Sequence, residues 1–380
     1  MAHPYTLKDL ILYFLKLGSV GFGGPVALVG YMHRDLVLNK QWITEDDYKE
    51  GLALSQLAPG PLAAQLAIYI GYVHYKIIGA TLTGLAFVVP SFLMVVGIGY
   101  AYVEFGGIPW MQAVFYGVGA AVIGIIAIGS YKLTTKSIGK DKLLWAIFIV
   151  LAATTFITEE EILWVILLAG VAVWFTKAPP RWANSGTNGM YPVLLLQLQP
   201  VIFESKLWQI AWFFTKAGAF VFGSGLAIVP FLYGGVVNEY QWLNEQQFLD
   251  AVAVAMITPG PVVITVGFIG YLVAGFWGAV VAALATFLPC YLFTIIPAPY
   301  FKKYGKHPAI KAFVDGVTAA AIGAIAGAVL VLGKRTLTDW PTILICLTTT
   351  VLLFRFKKMQ EPLIIATAAL LGVIIKTYFI

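Results

Sequence analysis

Charge and cysteine are what this chain of 380 residues has least of. Only 11% of it is charged, against about 25% in a soluble domain, which excludes a water-soluble enzyme or binding module. The two cysteines, Cys290 and Cys346, lie in apolar runs, so neither a disulfide framework nor a thiolate metal cluster is available and packed thiols are expected. The four histidines, at 3, 33, 74 and 307, fall at segment ends, which argues against a buried metal site. P-loop, HExxH and GxSxG patterns are missing as well, and no cofactor or enzymatic activity is expected. The stretch from Met1 to Asp9 lacks a cleavable signal pattern, so the first hydrophobic segment is expected to stay in the membrane.

What is present in abundance is apolar: 60% of the residues are hydrophobic, with a mean hydropathy of +0.87. At ~20 residues per crossing, this fills about ten spans of a bilayer. The net charge of +6 fits lysine and arginine in cytoplasmic loops, and no nucleic-acid partner is inferred from it.

The chain repeats itself. Lys16 pairs with Lys216, Gly18 with Gly218, Phe22-Gly23 with Phe222-Gly223, Trp42 with Trp242, Glu50 with Asp250, and Pro59-Gly60-Pro61 with Pro259-Gly260-Pro261, all at a spacing of 200 residues. Beyond these the spacing is 199, pairing Gly71-Tyr72 with Gly270-Tyr271, Pro90 with Pro289 and Gly117 with Gly316. A register held this far indicates duplication: repeats at residues 1–180 and 205–380, joined by a linker at 181–204.

Each repeat reads as the same helical series. Segment A (7–38 and 207–237) is interrupted by Gly21-Phe22-Gly23-Gly24-Pro25 or Gly223-Ser224-Gly225. Helix B opens with a capping pattern, Thr44-x-x-Asp47 or Asn244-x-x-Gln247, and ends at Pro-Gly-Pro, where helix C (61–75 and 261–272) begins. Four longer runs follow in each half. Loop charges are opposite in equivalent places: Glu104 against Lys302-Lys303-Tyr304-Gly305-Lys306, and Glu159-Glu160-Glu161 against Arg355, Lys357 and Lys358. Because Lys/Arg loops stay cytoplasmic, the halves are expected upside down relative to each other; Gly333-Lys334-Arg335 runs against this pattern. Inversion needs an odd number of crossings per half. The expected fold is therefore an all-α polytopic membrane protein of two inverted-topology repeats, each with about five transmembrane helices plus a re-entrant hairpin formed by B and C.

Broken helices within inverted repeats mark secondary transporters with a midplane site, because an exposed helix end is tolerated in a bilayer only around a cavity or within protein. Gly60-Pro61 and Gly260-Pro261 start helices whose first N–H groups, on Leu62, Ala63 and Ala64 or on Val262, Val263 and Ile264, are free donors for an anion. Gly24-Pro25 offers a similar start, and Ser224 suits a cap. Lys16 and Lys216 lie seven residues before the paired glycines Gly23 and Gly223, ~10 Å along a helix. Two readings stand for them: a functional cation near mid-membrane, or a side chain snorkelling to an interface. Glu50 and Asp250 are candidates for carrying protons, or are solvated at the hairpin mouth. Gln56 and Gln65 flank the first Pro-Gly-Pro, with Thr265 opposite Gln65; they either donate to an oxyanion or bond within the hairpin. The small-residue spacings of Gly117, Ala121 and Gly124 suit close helix contact, and Pro90 and Pro289 are expected to kink their helices.

Phe14-Leu15-Lys16-Leu17-Gly18, Phe22-Gly23-Gly24-Pro25, Gln56-Leu57-Ala58-Pro59-Gly60-Pro61, Phe222-Gly223-Ser224-Gly225, Thr258-Pro259-Gly260-Pro261 and Phe268-Ile269-Gly270-Tyr271 resemble the chromate ion transporter family in its long, two-domain form. The resemblance implies an inner-membrane secondary transporter exporting chromate as a resistance function, antiporter-like, with sulfate as a related oxyanion. Two departures, Met256 where a glutamine is common and Ser224 where a third glycine is usual, point to an asymmetric site with more polar contacts from the first hairpin. The substrate-binding set is then Lys16, Gly23, Gly24, Gln56, Gly60, Pro61, Leu62, Gln65, Lys216, Gly223, Ser224, Gly225, Gly260, Pro261, Val262 and Thr265. An anion channel, or a transporter of another small anion, is the alternative. Expected partners are the oxyanion and membrane lipid, with the choice between monomer and homodimer left open.

Overall fold

The computed structural model describes residues 5–22, 24–105, 109–158, 163–179, 205–220, 228–304, 307–356 and 361–378, and these form helices and turns with no strand among them. In the first half the helices are α1 (Leu7–Val20), α2 (Gly24–Met32, continued by a π-helical stretch His33–Asn39), α3 (Glu45–Leu57), α4 (Leu62–Phe105), α5 (Pro109–Ser137), α6 (Lys142–Thr158) and α7 (Leu163–Lys177). The second half runs through α8 (Lys206–Phe220), α9 (Ile228–Tyr233, continued by Gly234–Glu239), α10 (Glu245–Ile257), a 3₁₀ turn Val262–Ile264, α11 (Thr265–Ile295), α12 (Ala298–Tyr304), α13 (Pro308–Thr336), α14 (Trp340–Arg355) and α15 (Glu361–Tyr378).

Local chemistry explains the starts and stops. Thr6, Thr44, Asn244 and Asp339 each accept the N3 amide of the helix they open, which satisfies one of the four orphan donors of a helix start. The capping expected at Asn244 is reciprocal, since Gln247 also accepts the Asn244 amide. Both long helices break where the notional C helix ends. Lys76 has φ 53° and ψ −141°; Ala274 and Gly275 leave helical geometry at the equivalent place. Helix C therefore turns sharply into the following helix. Pro90 and Pro289, in contrast, sit within stretches of helical backbone.

Segment A departs from the expected interrupted span. Tyr5 stacks on Trp42 with ring centroids 4.9 Å apart, the Tyr13 hydroxyl reaches Asp35 at 3.4 Å, and Gly21 at the tip faces Leu28. These pairs describe a helical hairpin, α1 against α2. The second half repeats it: Lys206 lies over Trp242 and Phe213 packs on Phe231 and Gly235. The physical reason is the clustered aromatic rings at both ends of the segment, which bury more surface against each other than apart. In each half segment A thus folds back as a hairpin of its own ahead of the Pro-Gly-Pro hairpin.

Among the described residues, helices long and apolar enough to cross a membrane occupy Leu62–Phe105, Gln112–Thr135, Val262–Phe301 and Pro308–Lys334, and α6, α7, α14 and α15 are shorter apolar helices. Large apolar side chains such as Trp277, Leu284, Trp340, Val351 and Leu370 are exposed, the arrangement of a surface in contact with lipid. α13 packs against α6 and α7, while α5 packs against α14 and α15, so the halves interlock. Gly18 lies against the Phe87 carbonyl and Gly218 against that of Thr286, leaving no room for a Cβ at either helix crossing. Both cysteines are free and buried.

Candidate functional site

The two Pro-Gly-Pro tips are buried in the middle of the molecule. In the first hairpin, Gly51 on α3 faces the Tyr69 ring on α4, and the chain reverses through Gly60 at φ 140°. In the second, Gly260 has φ 94°. Residues with a Cβ rarely adopt such angles, so glycine is required at both reversals. The tip of each half lies against a long helix of the other. A Cβ on Gly60 would meet Cys290 on α11 at 3.1 Å, and one on Gly260 would meet Ser91 on α4; Ser91 and Cys290 are themselves 199 residues apart. The second tip is also tied to α1, because the Gly260 amide donates to the Gly21 carbonyl at 2.9 Å while Ser91 Oγ donates to the Gly18 carbonyl at 3.2 Å.

The donors at the tips differ. On α4 the first helical bond is Gln65 N–H to the Pro61 carbonyl, 3.0 Å, so the N–H groups of Leu62, Ala63 and Ala64 are the orphan donors at its positive end. The second tip begins as a 3₁₀ turn with Ile264 N–H on the Pro261 carbonyl at 2.9 Å. There Thr265 Oγ1 donates to the Val262 carbonyl at 2.8 Å, so its hydroxyl proton is already used inside the helix. Gln65 is fully buried and donates Nε2 to the Pro59 carbonyl at 2.8 Å. That donor also serves the hairpin rather than a ligand. Gln56, at the end of α3, is exposed.

Lys16 is exposed on α1 alongside Leu12, Leu15 and Val20. Lys216 is half-buried with Nζ 5.8 Å from the centroid of the Trp212 ring. Gly24 opens α2; Gly23, Gly223, Ser224 and Gly225 lie outside the described residues. The paired carboxylates also separate. Glu50 is half-buried beside Tyr69 on its own hairpin. Asp250 is only 3% exposed and bridges the halves, accepting from Tyr102 on α4 at 2.7 Å and from Gln246 at 2.8 Å.

Gln246 also lines a cavity of about 250 Å³, together with Tyr116, Tyr233, Glu245, Thr336 and Thr342. Tyr102, Ser91 and this cavity escaped sequence reasoning. Ser91 and Cys290 carried a signal, since each follows a paired proline, Pro90 or Pro289. Tyr102 carried none, because its partner lies 148 residues away.

Charged pairs gather at the ends of the bundle. At one end Asp141 caps α6 through the Leu143 and Leu144 amides and pairs with Lys177. The Lys177 ammonium, with those amides, holds the Asp141 carboxyl below its ordinary value. At the same end His33 and Lys49 flank Glu45 and lower it, His33 having the larger effect. The other end carries Tyr116 and Asp339 at 2.6 Å, with Lys376 over the Tyr116 ring.

Buried reversals, helix N-termini opposed across two halves, and an exterior of lipid-compatible side chains define a multi-pass helical membrane protein with its polar backbone groups gathered at the centre. The family profile described as "Chromate transporter" matches residues 8–174 and 208–373. The chain belongs to this family, which comprises transporters rather than enzymes. It is 69% identical to a chromate transport protein of Cupriavidus metallidurans over 98% of this chain and 94% of that protein. It is 63% identical to a probable chromate transport protein of Synechococcus elongatus over 98% and 96%, and 30% identical to a chromate transport protein of Pseudomonas aeruginosa over 90% and 84%. No solved structure matches it.

Proposed function

We propose that this protein is a secondary transporter of tetrahedral oxyanions that carries chromate out across the inner cell membrane, with sulfate as a related substrate or counter-ion. The relatives' activity is the first support. The observation that carries the mechanism is the bond from Gly260 N–H to the Gly21 carbonyl, which joins a hairpin tip of one half to a hairpin tip of the other. An oxyanion bound there would meet the N–H groups of Leu62, Ala63 and Ala64, with Gly60 and Pro61 forming the approach from one half and Gly260, Pro261 and Val262 from the other. Lys16 and Lys216 would balance its charge.

Which ends share neighbours supports the inverted-repeat reading. Tyr5, Trp42 and His74 cluster at one end of the bundle. Lys206, Trp242 and the Tyr102–Asp250 pair belong to the other. The first end also gathers Arg34, Lys40, Lys49, Lys76, Lys140, Lys142, Lys177, Lys311 and Arg355 and is assigned to the cytoplasm. The exceptional Lys334 falls at the opposite end, with Glu104, Glu239 and Glu245. The first half's hairpins then enter from the cytoplasm and the second half's from outside, the two-sided arrangement that alternating access by rocking requires. The cavity lined by Gln246 lies next to Asp250, and protonation of Asp250 from it would weaken the bond to Tyr102 and release the second hairpin.

Tip-to-tip packing favours a transporter over a channel. Radiolabelled chromate and sulfate flux in proteoliposomes, with and without an imposed pH gradient, tests the reading. Saturable chromate flux that responds to the gradient is expected; a current linear in voltage, with no saturation and no counter-transport, would establish a channel instead.

A further inference from the structure

The amide of Gln65 has one orientation. Its Nε2 lies 2.8 Å from the Pro59 carbonyl, and exchanging nitrogen for oxygen would set two acceptors against each other. Oε1 is therefore the free end, and it is buried with no hydrogen-bond partner. A buried acceptor left this way destabilises the fold unless something donates to it. The carboxamide lies directly against Gly60, whose notional Cβ is 2.8 Å from Nε2. The first tip thus presents several orphan N–H donors and one fixed acceptor.

That combination discriminates between ligands. A cation would satisfy Oε1 but would sit at the positive end of α4. A fully deprotonated tetrahedral dianion would satisfy the N–H groups but bring an oxygen against Oε1. An oxyanion bearing one O–H satisfies both: the O–H donates to Oε1, and the remaining oxygens accept from Leu62, Ala63 and Ala64.

We propose that the first hairpin tip binds the hydroxyl-bearing form of its oxyanion, hydrogen chromate in preference to chromate, with Gln65 Oε1 as the acceptor that selects it. This rests on the oxyanion-transporter reading above. The second tip has no such device, because Thr265 stands opposite Gln65 and its hydroxyl bonds within its own helix. The titratable groups packed around Gln65 are Cys290 on α11 and, one step further out, Tyr69 on α4 with Glu50 on α3. Any of these that titrates would change the affinity for all anions alike, whereas selection by Gln65 acts on one.

Equilibrium binding of chromate and molybdate to the purified full chain separates these cases. Chromate gains a proton near neutral pH, whereas molybdate stays an unprotonated tetrahedral dianion on both sides of that equilibrium. The expected result is chromate affinity that rises with the hydrogen chromate fraction on acidification. Molybdate should bind roughly tenfold or more weakly, with no pH response. Gln65→Met should bring the two anions to within about twofold of each other, since the acceptor is gone. Parallel gains for both anions on acidification would overturn the proposal and point to a titrating protein group. An unchanged chromate-to-molybdate ratio in folded Gln65→Met would overturn it too, by showing that Oε1 holds a water. Should Gln65→Met not fold, the wild-type pH comparison decides. Binding of neither anion would sink the oxyanion reading itself, a result distinct from the other two.

Discussion

The two hairpin tips share a Pro-Gly-Pro turn yet are held differently. The first tip keeps its polar group at the turn: Gln65 braces Pro59 and retains a spare acceptor. The second tip has apolar Val262, Val263 and Ile264 and is bonded into the first half, through Gly260 to Gly21 and through Asp250 to Tyr102. The two scaffolds match in their turn, and a few substitutions leave one tip with a spare acceptor and tie the other into the opposite half.

The strongest break in that comparison comes at the glycines. Gly60→Leu and Gly260→Leu each force a side chain into positive φ and into a neighbouring helix, costing roughly 2–5 kcal/mol; flux should fall to background in both. Gly260→Leu should also lower the thermal midpoint more, because it disrupts a bond between halves. Unchanged flux in either variant would remove the tips from the mechanism.

Next come the carboxylates. Asp250→Asn should abolish the response of flux to a pH gradient and slow transport by roughly tenfold or more, since a group bonded across the halves loses its charge. Glu50→Gln, at a half-buried carboxylate beside Tyr69, should change flux by less than about threefold. Equal effects would show the carboxylates to be equivalent, and Tyr102→Phe should reproduce part of the Asp250→Asn defect. For the lysines, Lys216→Ala should reduce flux by about tenfold and Lys16→Ala by about twofold, because the former is partly desolvated beside Trp212 and the latter exposed. Normal chromate flux in both would eliminate the balancing charge.

Two smaller tests concern stability. Lys76→Gly installs what Gly275 supplies in the other half, at a backbone angle that disfavours a Cβ, and should stabilise the protein by about 1 kcal/mol in denaturant unfolding. Asp141→Asn should cost less than about 1 kcal/mol. The Asp141 carboxyl is held low by Lys177, so its contribution is present above the ordinary carboxylate range. It should be lost as pH falls through the depressed folded value, and Asp141→Asn should flatten that acid limb of the stability profile.

Much of this was legible in the residues themselves. The reversals at Gly60 and Gly260, the caps at Thr44 and Asn244, and the break between Tyr75 and Ile77 all follow from chemistry within a few positions. The closure of segment A was not, because stacking of Tyr5 on Trp42 requires two rings 37 residues apart to meet. For Gln65 the sequence allowed either donation to an oxyanion or a bond within the hairpin, and the structure shows the second for Nε2. Its orientation depends on how the turn aims the Pro59 carbonyl. Thr265 was drawn away in the same fashion, by a carbonyl one helical turn back.

Composition, repeat and helix punctuation by themselves determined a membrane protein of two related halves with paired breaks, since burial in lipid and helix termination are set by local polarity and backbone freedom. Only the tertiary structure decided which breaks meet, that Asp250 reaches Tyr102, and that one amide oxygen is left unsatisfied at the centre. Those outcomes depend on packing between segments more than a hundred residues apart, where the energy of each contact is fixed by the position of both partners.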